Sequence, residues 1–410
     1  MDALRVVSML AVAAGHWLLA VVTLAADGSL RTESLLVVAP AAQWSTWLLQ
    51  VVPLFVVVAG WSSARSLHGA SGSGGASIGW VHARVRRLLL PTTAYVLALA
   101  LAAPLLTLLV GSDTGALVGR FLGVHLWFTA AISVMWLLTP WLHAVWQALG
   151  PRALVATGCA VLTVDVAVQQ LGLPLVGWAN FVLVFSFATL LGFAWHDGRL
   201  TRRVAARMVG LGVAGLLLAA ASPWYPLSLV GVPGAAQSNN SPLTVCMVLV
   251  AVLHVGAVVL AAPRLRRVLE RPGVWLGVVV ASRVAVTVYL WHLAGLALLV
   301  GLAHALAPSV LALEPLTATW WATRPLWIAA LVLATVPLVW LAARVEQRPR
   351  PAAAPGRVRV LLATGLAVFG CAQVALVGAG AGLGEVAVLV AALVGRWVPG
   401  TERRPSRPAM

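Results

Sequence analysis

The chain contains no lysine: all 27 of its basic residues are arginines. That absence is a compositional bias with no functional content. The scarcity of charge matters more. Only 9% of the 410 residues are charged, which leaves no stretch polar enough to clothe a soluble domain. The three cysteines, Cys159, Cys246 and Cys371, each sit inside an apolar run without metal-ligand spacing. This excludes a disulfide framework and predicts buried thiols. Also missing are a GxxxxGKS loop, an HExxH pair, a CxxC pair and a GxSxG elbow, so ATP-driven and zinc chemistry have no support. The formal charge of +16 would suit nucleic acid if it were gathered on one polar surface. Here the arginines fall in short runs between apolar segments, as in the cytoplasmic loops of a membrane protein, and no nucleic-acid partner is expected.

What remains is hydrophobic: 61% of residues, with a mean hydropathy of +0.98. Apolar runs long enough to span a bilayer occupy 4–24, 44–64, 88–110, 125–146, 152–171, 177–195, 205–222, 243–262, 275–306 and 323–343. With the N-terminus in the cytoplasm, the even-numbered connections carry most of the arginines: Arg65, Arg84, Arg86 and Arg87, then Arg152, Arg199–Arg207, Arg264–Arg271 and Arg344–Arg359. The odd-numbered ones hold only Arg31, Arg120 and Arg324 beside Asp27, Glu33, Asp113 and Glu314. This alternation predicts an all-α, polytopic transmembrane bundle of ten core helices. One or two further apolar segments follow in 360–398, interrupted by GAGAGLGE: either a short hairpin or one helix plus an interfacial piece. The basic tail Arg403, Arg404 and Arg407 favours the hairpin, and the Arg- and Pro-rich stretch Arg344–Arg359 reads as a boundary. A signal peptide is a poor fit to the first run, which is long and is followed by AADG.

Two residues in that first run do not belong in lipid. Arg5 and His16 are eleven positions apart. At roughly 100° per residue this is within ~20° of three full turns, so they share one helix face. At ~1.5 Å per residue the imidazole lies about 16 Å deeper than the guanidinium. A charge at mid-membrane costs on the order of 2.5–3.5 kcal/mol, so such groups face a protein interior. Arg5 reads either as a topogenic charge or as a functional cation, and His16 either as a packing residue or as a reactive one.

Further along, Gly69–Gly79 is a flexible loop by composition. It leads into HARVRRLLLP, where Arg84 and Arg87 are three apart on neighbouring faces. They suit membrane anchors, or a paired guanidinium site for phosphate. Other polar groups inside spans are Asp165, Asn180, His254 and His292, and Asp165 is a candidate partner for an interior histidine or arginine. The connection SPWYPLSLVGVPGAAQSNNSP is uncharged and rich in Trp, Tyr, Pro and Asn. It suits a loop resting on the membrane surface, or one offering hydrogen bonds to an uncharged acceptor such as a sugar.

Five segments, taken in order, resemble the acyltransferase-3 family of integral membrane O-acyltransferases. MDALRVVSMLAVAAGHW resembles its first helix, an arginine and a histidine separated by ten residues (Arg5, His16). VPLFVVVAGWSSARSL resembles the second-helix segment, with Val56 and Ala59 in place of a Phe and a Ser. RVRRLLLP resembles the arginine pair of the third helix. HLWFTAAISVMWLLTPWL resembles the Trp-Phe segment with Trp127, and VYLWH the late Tyr-Leu-Trp-His with Tyr289 and His292, although Ala285-Val286 replaces the usual Ser-Tyr. The resemblance implies transfer of an acyl group, commonly acetyl, from acyl-coenzyme A to a hydroxyl of a carbohydrate, lipid or small molecule. Acyl-CoA is then a donor substrate, with no permanently bound cofactor and no metal. It also implies His16 as general base or as the site of an acyl-histidine, Arg5, Arg84 and Arg87 as coenzyme A phosphate ligands, and His292, Asp165, Trp127 and Tyr289 in support. The domain layout expected is an acyltransferase membrane domain over 1–345, a linker over 346–359, an additional membrane segment over 360–398 and a basic tail over 399–410. The expected location is the inner (plasma) membrane. The rival class is a transporter or polysaccharide exporter, which ten to twelve helices with buried His, Asp and Arg would also serve. Against it stands the lack of any internal repeat between the halves of the sequence.

Overall fold

The computed structural model describes residues 1–67, 74–346, 356–380 and 382–395. In chain order it runs α1 (Asp2–Leu19), β1 (Ala20–Leu24), β2 (Leu30–Ser34), α2 (Leu35–Val38), a 3-10 turn (Pro40–Ser45), α3 (Thr46–Leu49) and α4 (Val52–Leu67). It continues with α5 (Gly74–Val110), α6 (Ser112–Gly123), α7 (Leu126–Leu149), α8 (Pro151–Leu171), a 3-10 turn (Pro174–Trp178), α9 (Ala179–His196) and α10 (Arg202–Ala220). Last come α11 (Val245–Leu269), α12 (Pro272–Leu306), α13 (Pro308–Leu311), α14 (Ala318–Glu346), α15 (Arg357–Val377) and α16 (Leu383–Val394). Among the described residues, 11 helical segments are long and apolar enough to cross a membrane, and the sheet content is one two-stranded hairpin. The protein is a polytopic helical membrane protein.

Several boundaries differ from those read in the sequence. The first helix stops at Leu19, and Ala20–Leu24 forms a strand paired in antiparallel register with Leu30–Ser34. The β-branched run Val21-Val22-Thr23 favours strand. Asp27 closes the turn by accepting from the Ser29 backbone N–H and hydroxyl, and Gly28 adopts φ +80°. The second expected run, 44–64, lies within the candidate span Pro40–Leu67, whose first part folds as a 3-10 turn and the short α3 before α4 begins at Val52. The third starts at Gly74, so residues 74–79 of the glycine-rich stretch are helical, while 69–73 lie outside the described residues. Helix α6 occupies an expected connection. Of the predicted buried thiols, Cys246 and Cys371 are buried and Cys159 is exposed. Arg348, Arg350, Arg396 and the tail arginines also lie outside the described residues.

The chain divides into two compact units, one of residues 1–69 with 137–335, the other of 70–136 with 336–410. In the first, α1 packs on α12 and α4, α4 on α9, α8 on α9, and α10 on α11. The α4–α9 crossing depends on glycine: a Cβ on Gly192 would lie 2.6 Å from the Trp61 backbone nitrogen. Small residues let helices approach where lipid supplies no hydrophobic drive. In the second unit α15 and α16 pack on each other and on α5 and α6. Glu385 folds the turn between them by accepting from Gly380 N–H at 2.6 Å and Gly382 N–H at 3.1 Å. With 12 residues, about 18 Å, α16 is too short to cross a bilayer as described.

Candidate active site

Because α1 is an unbroken helix, Arg5 and His16 keep the common face that their spacing predicts, and each meets a different neighbour in the first unit. Near the start of α1, the Arg5 guanidinium donates to Asp2 Oδ1 at 2.8 Å and to the Ser62 hydroxyl on α4. Ser62 in turn donates to the Val58 carbonyl at 2.9 Å. Near the end of α1, His16 Nδ1 lies 2.7 Å from His292 Nε2 on α12. The ring centroids are 5.0 Å apart with the planes 10° from parallel. A centroid separation so much larger than the N···N distance means that the rings meet edge to edge, nearly in one plane, as an in-line hydrogen bond requires.

The protons in this pair follow from donor chemistry. His292 Nδ1 lies 2.6 Å from the Tyr289 carbonyl oxygen, which can only accept. Nδ1 of His292 therefore carries its hydrogen, and in the neutral ring Nε2 is the lone pair. That lone pair accepts from His16 Nδ1–H, which leaves the basic lone pair of a neutral His16 on Nε2. Among the described residues, Nε2 of His16 has no hydrogen-bond partner. His292 is fully buried, while His16 is half-buried. The backbone near His292 is held from α1 as well, since Trp17 Nε1–H donates to the His292 carbonyl at 2.9 Å.

Asp165 has partners other than the histidine or arginine expected for it. Its Oδ1 accepts from Asn180 Nδ2 at 2.7 Å, and its Oδ2 from the Tyr225 hydroxyl at 3.0 Å and the Val245 N–H at 2.8 Å. It thereby ties α8, α9, the 221–244 connection and the start of α11. Burial and the neighbouring Asp165 carboxylate push the Tyr225 pKa up, so the phenol stays a donor. The Asn-rich connection is likewise committed to structure. Asn239 Nδ2 donates to Pro226 and Ser228 carbonyls, and Gln50 Nε2 donates to Leu229 O at 3.0 Å and Asn240 Oδ1 at 3.2 Å. His254 Nε2–H donates to the Trp47 carbonyl at 2.9 Å, beneath the same connection.

Arg84, Arg87 and Trp127 belong to the second unit. Arg84, on α5, stands over the Trp80 ring at 4.9 Å, and Arg87 is exposed on the same helix. Trp127 meets Phe128 edge to face at the start of α7, with centroids 5.8 Å apart. The structure thus brings together His16, Tyr289 and His292 in the first unit, with Arg5 on the same face of α1 but about 16 Å away along the helix, bonded to Ser62, and Asp165 stands apart from them.

Two contributors, Ser62 and Trp17, went unread in the sequence, and so did the way in which Tyr289 takes part. Ser62 is one of three serines on α4, with nothing in the pattern to distinguish it. Trp17 passes for core packing. Tyr289 acts through its backbone carbonyl, which no side-chain motif encodes.

Residues 1–344 match the family model described as an acyltransferase domain, that of acyltransferase-3. No match is found among curated proteins or among solved structures.

Proposed function

Since the chain belongs to the acyltransferase-3 family and is a membrane acyltransferase, we propose that it moves an acyl group, acetyl in the simplest case, from acyl-coenzyme A to a hydroxyl on a carbohydrate, lipid or small-molecule acceptor. The observation that carries this reading is the His16–His292 pair, which leaves His16 Nε2 as a basic nitrogen on a half-buried ring. In the proposed reaction, Nε2 takes the proton of the acceptor hydroxyl as its oxygen attacks the thioester carbonyl. The tetrahedral adduct collapses with cleavage of the C–S bond, and the proton on Nε2 passes to the departing thiolate. The products are an ester and free coenzyme A. His292 acts as a positioning residue: its Nε2 keeps His16 in one orientation and one tautomer, and eases the transient positive charge on that ring.

Arg5, Arg84 and Arg87 are assigned to the donor's phosphates, for which guanidinium is the best-matched side chain. This requires their ends of the helices to be cytoplasmic, hence an N-terminus inside and residence in the plasma membrane. Residues 1–345 then form the acyltransferase domain, 346–359 a linker, 360–398 an accessory hairpin and 399–410 a basic tail. No cofactor is held between turnovers. The test is release of free coenzyme A thiol from acetyl-coenzyme A by the detergent-solubilised full chain beside His16→Ala. Release by the wild type alone is the expected result; equal release by both overturns the role of His16. Arg84→Ala and Arg87→Ala are expected to raise the KM for the donor with kcat little changed. A fall in kcat at unchanged donor affinity overturns the phosphate assignment.

A further inference from the structure

The turn between α9 and α10 and the last three turns of α11 enclose a cavity of about 580 Å³ in the first unit, open to the surface. Its inner wall is apolar, with Trp195, Val259 and Ala262, and its rim carries Arg202, Arg266 and Arg267. The three guanidiniums belong to exposed residues, and among the described residues none of them forms an ion pair. Glu270 also lines the rim without bonding to them. The nearest other acid in sequence is already committed: Asp197 accepts from Trp146 Nε1–H at 2.8 Å and contacts His196 Nδ1 at 3.2 Å. Arg199 lies over the Trp146 ring at 5.6 Å. The rim therefore keeps a net positive charge of two. The positive end of the α10 dipole, which begins at Arg202, adds to it.

This cavity lies at the Arg5 end of the first unit. Ser62, which accepts from Arg5, adjoins Trp61, and the Trp61 ring meets His196 edge to face at 5.6 Å. None of the residues at the candidate active site lines the cavity.

We propose that this groove binds a phosphate group, with the anionic headgroup of a membrane phospholipid as the source. A free phosphate calls for guanidiniums alone, whereas the apolar wall of Trp195, Val259 and Ala262 beside them suits a headgroup whose acyl chains follow α11 into the bilayer. The site is independent of the catalytic reading given above.

The experiment is native mass spectrometry of the detergent-solubilised full chain titrated with phosphatidylglycerol, and in parallel with phosphatidylcholine and glycerol 3-phosphate. The wild type is expected to retain phosphatidylglycerol in preference to phosphatidylcholine. The triple variant Arg202→Gln/Arg266→Gln/Arg267→Gln is expected to bind phosphatidylglycerol about 100-fold more weakly. A control, Arg203→Gln/Arg207→Gln/Arg264→Gln, removes the same charge from the same helices outside the groove and is expected to bind as the wild type does. Saturable glycerol 3-phosphate binding that the first triple variant loses keeps the phosphate site but overturns the lipid as its source. Equal loss in both triple variants, or loss in neither, overturns the site itself. Size-exclusion profiles show that each variant is folded.

Discussion

Asp165 and His16 both stand toward the C-terminal ends of apolar helices in the first unit, and both are polar groups where lipid would penalise them. They are accommodated in different ways. Asp165 accepts three hydrogen bonds from three other elements, none of them from a titrating base, and is buried. His16 commits one nitrogen to His292 and keeps the other open on a half-buried ring. A buried polar group whose bonding capacity is used inward stabilises the fold. One with a lone pair left over on an accessible edge has something to offer a substrate.

The comparison breaks most visibly at His16. His16→Ala is expected to lower acyl transfer by about 10²–10⁴-fold, the usual contribution of a general base, while the thermal unfolding midpoint stays near that of the wild type. Asp165→Ala is expected to do the reverse. Each donor left without water or another acceptor costs about 1–3 kcal/mol, so the midpoint falls while kcat per folded molecule holds. Asp165→Asn sharpens this point: the Asn180 amide can turn over to accept from the new amide, and much of the stability should return. Midpoints of the two variants, measured together, check both statements.

A smaller effect is expected at His292. His292→Ala removes the acceptor that orients His16, and kcat should fall roughly 10²-fold with the donor KM unchanged. A matching rise in KM with kcat intact would instead make His292 a substrate ligand. The smallest effect concerns Asp197, outside the spans. Burial alone would raise its pKa, but the Trp146 N–H and the His196 contact more than offset this and hold it below the usual carboxylate value. Its contribution to stability is therefore present above the unfolded carboxylate pKa and lost as pH falls through the folded one. The gap in unfolding midpoint between wild type and Asp197→Asn should be open at neutral pH and close in acid.

Much of the architecture was legible from the apolar runs and the arginines between them, because a spanning segment must satisfy its own backbone and helix is the local way to do so. The errors fall where local and tertiary preferences compete. Val21-Val22-Thr23 continues the apolar run but pairs with Arg31-Thr32-Glu33 instead of extending the helix. Val21 is buried there with Leu35 and Trp320, the last of which is nearly 300 positions away in sequence. At the candidate site, the common face of Arg5 and His16 needed only the helical repeat. Asp165 was visible as an anomaly, yet its partners Tyr225 and Val245 come from a connection with no periodicity to read.

What the sequence by itself determined is the membrane-spanning helical frame and the face of α1 that carries the cation and the imidazole, since both depend on interactions within a few residues. The tertiary structure decided which nitrogen of His16 keeps its lone pair. That choice is set by a carbonyl at Tyr289 acting through His292, 276 positions from His16, and a proton's place on an imidazole is dictated by the partner of the other nitrogen rather than by anything in the ring's own helix.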